Sequence, residues 1–272
     1  MEEVLEQIVH RLQRQYYGKY RGFVVDNRDP EKRGRLKLKV PTVLGDQDTG
    51  WALPCLPFGG FTNQGLFMIP EVDAQVWVEF EEGNLDHPIW VGVFWQQTSD
   101  TPEEAALDEP TTRMIRTPSG HVLQFDDKSG EEQFRLAHPA GTELTINPQG
   151  TVELTDAAGA KLTLDAESHQ AILQDSNGNT VTMDASGTVI QDSNGNQVEM
   201  AAAGITLKGT KIVLDGIQVH AGGEGGEPLV KGQTFMGMYN AHTHVCTAPG
   251  SPSGPPLPPL TPAALTIKTK GQ

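Results

Sequence analysis

The chain has 272 residues, of which 37% are hydrophobic and only 6% aromatic, with 30 glycines and 19 prolines. That apolar stock is thin for one compact globule and suits a narrow, repetitive architecture in which each unit buries one face on a neighbour. A formal charge of −15 excludes the basic footprint that phosphate neutralisation demands, so no nucleic-acid partner is expected.

Residues 1–18 read as a short N-terminal helix. Val4, Leu5, Ile8, Val9 and Leu12 recur at three-to-four spacing and form an apolar stripe, while Gly18 offers a stop. Neither this segment nor any later run has the apolar length of a signal or a bilayer span. The expectation is synthesis and assembly in the cytoplasm without a signal peptide. Cys55 and Cys246, in unrelated contexts, make no disulfide framework.

From 19 to 95 the period changes to two. Phe23-Val24-Val25, Leu36 to Val40, Val76 to Phe80 and Ile89 to Phe94 read as strands between turn clusters such as Asp26 to Pro30. Trp51, Trp77, Trp90 and Trp95 all fall here, so this block is expected to be a small antiparallel barrel holding the ordinary core. The polar, proline-bracketed stretch 96–117 reads as a linker.

Residues 118–240 read as a repetitive β shaft. Short strands with apolar residues at i and i+2 follow small glycine turns, and Gln174-Asp-Ser-Asn-Gly-Asn179 returns unchanged as 191–196, a shift of 17. The Asn-Gly steps favour tight two-residue hairpins with both central residues at positive φ. Such a ribbon has one dry face to hide and edges with unpaired backbone groups, so it calls for a symmetric oligomer of unstated copy number. The competing arrangement, a two-sheet monomeric solenoid, would need both faces apolar in places.

Residues 241–272 change character again, with a proline-rich tail suited to an extended path. His242 and His244, at i and i+2, would share one face of a strand. Three copies would bring six imidazoles to one axis, a set suited to octahedral iron(II) rather than tetrahedral zinc. The other histidines show no spaced cluster. The acids Asp126-Asp127 and Glu131-Glu132 sit in turns, where they cannot flank a glycosidic bond. No nucleophile elbow, zincin helix or phosphate loop occurs, so no catalytic residue and no enzyme activity are expected. A β-helical enzyme acting on cell-wall or capsular glycans is the alternative.

Tyr20 to Val40, Trp51-Ala-Leu-Pro-Cys55, Ile69 to Phe80 and Asp86 to Phe94, followed by the glycine-punctuated repeats and His242-Thr-His244, together resemble the phage baseplate assembly protein V and VgrG-like central spikes of contractile injection systems. The resemblance implies a mainly β protein, with an N-terminal OB-fold barrel followed by a trimeric intertwined β-helix, or β-prism, ending in a pointed tip. It implies a homotrimer that docks on tail-tube, hub and baseplate proteins and pierces a target envelope, as a component of a virion or injection particle. It also implies one iron per trimer on His242 and His244, and allows a tip-capping PAAR-like partner. Some phage spikes of this kind carry a lysozyme domain between barrel and β-helix, where this chain has only the linker.

Overall fold

The computed structural model describes residues 15–217, 219–220 and 232–243. Residues 1–14 of the expected helix, His244, Cys246 and the proline-rich tail lie outside these. The chain divides after Lys208.

Strands β1 (Tyr20–Asp26), β2 (Lys37–Lys39), β3 (Leu53–Pro54), β4 (Gln75–Phe80) and β5 (Pro88–Val93) form a five-stranded sheet ordered β2-β1-β4-β5-β3. All neighbours run antiparallel except β3 on β5. The alternation of β4 turns Val76, Val78 and Phe80 inward, where they join Val24, Leu36, Leu38, Val40, Ala52 and Trp90. The Trp90 indole N–H donates to the Gly34 carbonyl at 3.1 Å, so the largest core side chain leaves no orphan donor.

The β1–β2 connection is organised by one carboxylate. Asp29 accepts the backbone N–H groups of Glu31 (3.0 Å), Arg33 (2.8 Å) and Arg35 (3.3 Å), together with Arg35 Nε (3.1 Å) and Nη2 (2.7 Å). The Arg35 hydrogen bond holds the Asp29 carboxyl far below the usual carboxylate range. The basic run 32–39 is thereby largely accounted for. Arg35 also meets Glu31, Arg33 pairs with Glu31, Lys39 with Asp46, and Lys37 lies over the Trp51 ring.

The segment after β5 is not a loose tether. Asp100 accepts from the N–H groups of Gln96 and Gln97 and from Gln75 Nε2 on β4, and Glu104 pairs with Arg116. Pairing resumes at Thr112, inside the stretch 96–117 expected as linker.

Eleven strands then form one antiparallel meander. They are β6 (Thr112–Arg116), β7 (Val122–Asp126), β8 (Gln133–Ala137), β9 (Glu143–Ile146), β10 (Val152–Thr155), β11 (Lys161–Asp165), β12 (Gln170–Gln174), β13 (Thr180–Asp184), β14 (Gly187–Gln191), β15 (Gln197–Ala201) and β16 (Gly204–Lys208). Every strand pairs with its sequence neighbours, so backbone groups are satisfied along the ribbon and only β6 and β16 are edge strands of the sheet. Among the described residues, regular pairing extends to Lys208, whereas the sequence led to an expected shaft end at residue 240; residues 218 and 221–231 of that stretch lie outside the described ones.

The turns differ from the two-residue hairpins expected at Asn-Gly. In the loop after β12, Gly178 (φ 86) takes positive φ and Asn177 does not. The reason is Asp175. Its Oδ1 accepts from the N–H groups of Asn177 and Asn179, both at 2.9 Å, and its Oδ2 from Asn179 Nδ2 at 2.6 Å. That holds a three-residue loop, a type I turn closed by a left-handed glycine. Asp192 repeats the pattern at Asn194 and Asn196, and Ser193 N–H donates to Asn179 Oδ1, tying the two loops together.

A helix spans Gly232–Ala241, with Phe235 and Tyr239 in ring contact at the i,i+4 spacing. His242 directly follows it, so the strand geometry expected at this residue does not hold.

Candidate assembly surface

Because paired residues in a sheet share a face, the register alone reveals what each side of the meander carries. One row runs Ile115, Leu123, Leu136, Leu144, Leu154, Leu162, Leu173, Val181, Ile190, Val198 and Leu207, one residue from each strand. A second row on the same face is Arg113, Phe125, Phe134, Ile146, Val152, Leu164, Ala171, Met183, Thr188, Met200 and Ile205. Only Arg113 and Thr188 interrupt it.

The reverse face has a middle row of Met114, Gln124, Arg135, Thr145, Glu153, Thr163, Ile172, Thr182, Val189, Glu199 and Thr206. Cross-strand ion pairs stitch it, Arg135 to Glu143 at 2.9 Å and Lys161 to Glu153 at 2.6 Å. One side is therefore mostly polar and ion-paired, with Val122 and Gln124 buried at its β7 end, and the other is apolar along its length.

In the single chain the apolar side is open. Leu136 is 50% exposed, Leu173 54% and Ile205 72%. Eleven strands of about five residues cover roughly 17 Å by 48 Å, about 800 Å². The largest apolar patch on a monomer is usually about 300–600 Å², whereas about 800 Å² per partner is what a stable interface buries. At about 25 cal/mol per Å², covering it is worth up to roughly 20 kcal/mol per chain before the losses of association.

A second apolar surface lies on the five-stranded unit and was not singled out from sequence. Phe58, Phe61, Leu66, Phe67 and Met68 are exposed on the loop between β3 and β4, beside a hollow of about 860 Å³ that Arg33 and Leu56 also line. Its sequence signal is a set of large apolar residues between glycines with no strand alternation.

Of the two histidines singled out, His242 is described and His244 is not. The His242 Nδ1 lies 2.5 Å from the Tyr239 carbonyl. A carbonyl only accepts, so Nδ1 carries the ring proton and Nε2 is the nitrogen with metal-binding chemistry. That tautomer is the one a metal-binding imidazole needs when its other nitrogen is held by a carbonyl. No group of three or more potential metal ligands occurs among the described residues of the single chain.

The register also joins two histidines that sequence reading left apart. His121 and His138 have ring centroids 4.8 Å apart, edge to face. They are 17 residues apart, the same shift that relates the two Asp-Ser-Asn-Gly-Asn loops, and that period was the available signal.

Comparison with known proteins agrees with this layout. Residues 20–95 match the family described as the type VI secretion system/phage-baseplate injector OB domain. A 41-residue stretch is 44% identical to the pre-baseplate central spike protein Gp5 of Enterobacteria phage T4, covering 15% of this chain and 7% of that protein. A 115-residue stretch is 28% identical to the actin cross-linking toxin VgrG1 of Vibrio cholerae serotype O1, covering 39% of this chain and 10% of that one. The chain thus spans a small part of the length of these curated relatives. Among solved structures, the SAS-4 (dCPAP) TCP domain of Drosophila melanogaster aligns at 12% identity over 37% of this chain and 73% of its own, with a TM-score of 0.25, which carries no argument about fold. Residues 20–95 match the injector OB-domain family and form an OB-type half-barrel sheet, followed by a large antiparallel β sheet, and the chain is similar to baseplate and VgrG-like central spikes.

Proposed function

We propose that the chain is the structural spike of a contractile tail or injection machine, assembled as a homotrimer in which three meanders turn their apolar faces to a common axis. The observation that carries this reading is the unbroken apolar row from Ile115 to Leu207 behind an injector OB domain. Three such sheets make a closed prism with a dry interior and a hydrated, ion-paired exterior. Stiffness follows from the ladder itself, since bending the needle would have to break in-chain hydrogen bonds on at least one wall.

The OB domain docks on tube, hub and baseplate components, and its exposed Phe58 to Met68 loop is the surface with the chemistry for it. The shaft drives through a target envelope when the machine contracts. This role is mechanical and needs no catalytic residue. At the tip, His242 and His244 of three copies would hold one iron, a structural ion that staples the three chains together. A tip-capping PAAR-like protein is a further partner of this reading.

Elemental analysis of the purified full chain tests the tip. The expected content is about one iron per three chains, lost in His242→Ala and His244→Ala variants that keep their assembled mass. Iron-free wild-type protein, or variants that retain the metal, would remove iron from the account.

A further inference from the structure

We propose that each corner of the assembly is closed by the β7–β8 loop of one copy lying against the His121–His138 pair of the next. This deepens the trimeric reading above and rests on it.

The parity of the meander sets which loops share a border. Loops leave alternately at two borders of the ribbon: 117–121 and 138–142 at the first, 127–132 and 147–151 at the second. In any parallel cyclic trimer with the apolar faces inward, the first border of each copy meets the second border of its neighbour, because the contact is heterologous. Height along the axis then decides which loops touch. Strands stack about 4.8 Å apart. His121 leads into β7 and His138 leaves β8, and their 4.8 Å ring separation is one strand spacing. The pair therefore sits level with the gap between β7 and β8. At the opposite border, that level is occupied by the β7–β8 loop when strands cross the axis at right angles.

The chemistry of the two borders matches at this level. His138 Nδ1 accepts the Ala140 N–H at 3.1 Å, which leaves the ring proton on Nε2, a donor whose natural acceptor is a carboxylate. His121 Nδ1 lies 3.0 Å from Ser119 Oγ and 3.3 Å from Thr117 Oγ1. The loop 127–132 carries Asp127, Glu131 and Glu132, all exposed. Asp127 pairs with Arg113 and Glu131 with Lys128 inside the chain, and Glu132 takes the Gly130 N–H. In a chain of net charge −15, setting that acidic loop against two imidazoles rather than another acidic loop avoids like-charge contact at the corner.

A disulfide tests this directly. The full chain would carry Cys55→Ser and Cys246→Ser, with His138→Cys and Glu132→Cys. Within one chain these two positions flank β8 and lie about 20 Å apart, far beyond the roughly 7 Å between Cα atoms that a disulfide tolerates. Covalent trimers are expected as the main species on a non-reducing gel after oxidation. A trimeric mass without cross-links would overturn the corner contact and leave the assembly standing. A monomeric mass would overturn both. Preferential cross-linking of His138→Cys with Gln149→Cys would set the copies one hairpin out of level, and would also overturn the proposal. As a check free of new cysteines, Glu131→Lys/Glu132→Lys is expected to lower trimer stability and His138→Glu to restore it; loss without restoration would count against the contact.

Discussion

Asp29 shows how much of the OB domain depends on a single carboxylate. It collects three backbone N–H groups and the Arg35 guanidinium, and folding depresses its pKa, chiefly through the Arg35 bond. A depressed carboxyl contributes stability that is complete above the unfolded carboxylate range and is lost as pH falls through that range toward the folded value. Asp29→Asn should therefore lower the unfolding midpoint at neutral pH. It should also flatten the acid limb of a stability–pH profile, with wild type and variant converging at low pH. Parallel profiles would show that the carboxylate is not the group responsible. Gly187 is a second test at this scale. Its φ is 144, and a Cβ there would lie 2.0 Å from the Met200 carbonyl oxygen. Gly187→Ala should cost about 1–3 kcal/mol for the backbone conformation alone, read as a shift in denaturant midpoint. The sequence displayed the Asp-Ser-Asn-Gly-Asn loops openly. It concealed the turn type, because that depends on where the Asp175 carboxyl finds donors, which no dipeptide rule contains.

At the scale of elements, the alternation in the shaft was plain in residues such as Leu162-Thr163-Leu164, and the meander follows from it. What sequence alone did not give was that in-chain pairing runs without a break through eleven strands. Ribbon edges needing partners were expected, yet the strands from β6 to β16 pair with one another in-chain, which leaves the apolar face as the surface on which the proposed association rests. The two faces should thus respond oppositely to the same change. Leu162→Lys places a charge on the apolar row and should abolish assembly, whereas Thr163→Lys on the reverse face should leave the assembled mass unchanged. Equal effects would mean that the face has no directional role. The far end of the shaft, expected at residue 240, was harder to read for a related reason. Apolar residues such as Ile212 and Leu214 continue the alternation, but they are exposed and lie outside any strand here, so pattern by itself did not fix where pairing ends.

For the whole molecule, the OB domain was legible because a buried core leaves a strong record: aromatic residues, period-two runs and turn clusters within one block. The tip was less so. His242 stood out by type and spacing, but a helix rather than a strand precedes it, since Phe235 and Tyr239 repeat at helical rather than strand spacing. The proposed trimer requires the apolar row from Ile115 to Leu207 to be covered by sister copies. Sedimentation equilibrium of the full chain measures it most directly. The predicted result is a single species of three times 29.4 kDa that persists on dilution while the shaft keeps its β signature; a stable, fully folded species of 29.4 kDa would contradict it.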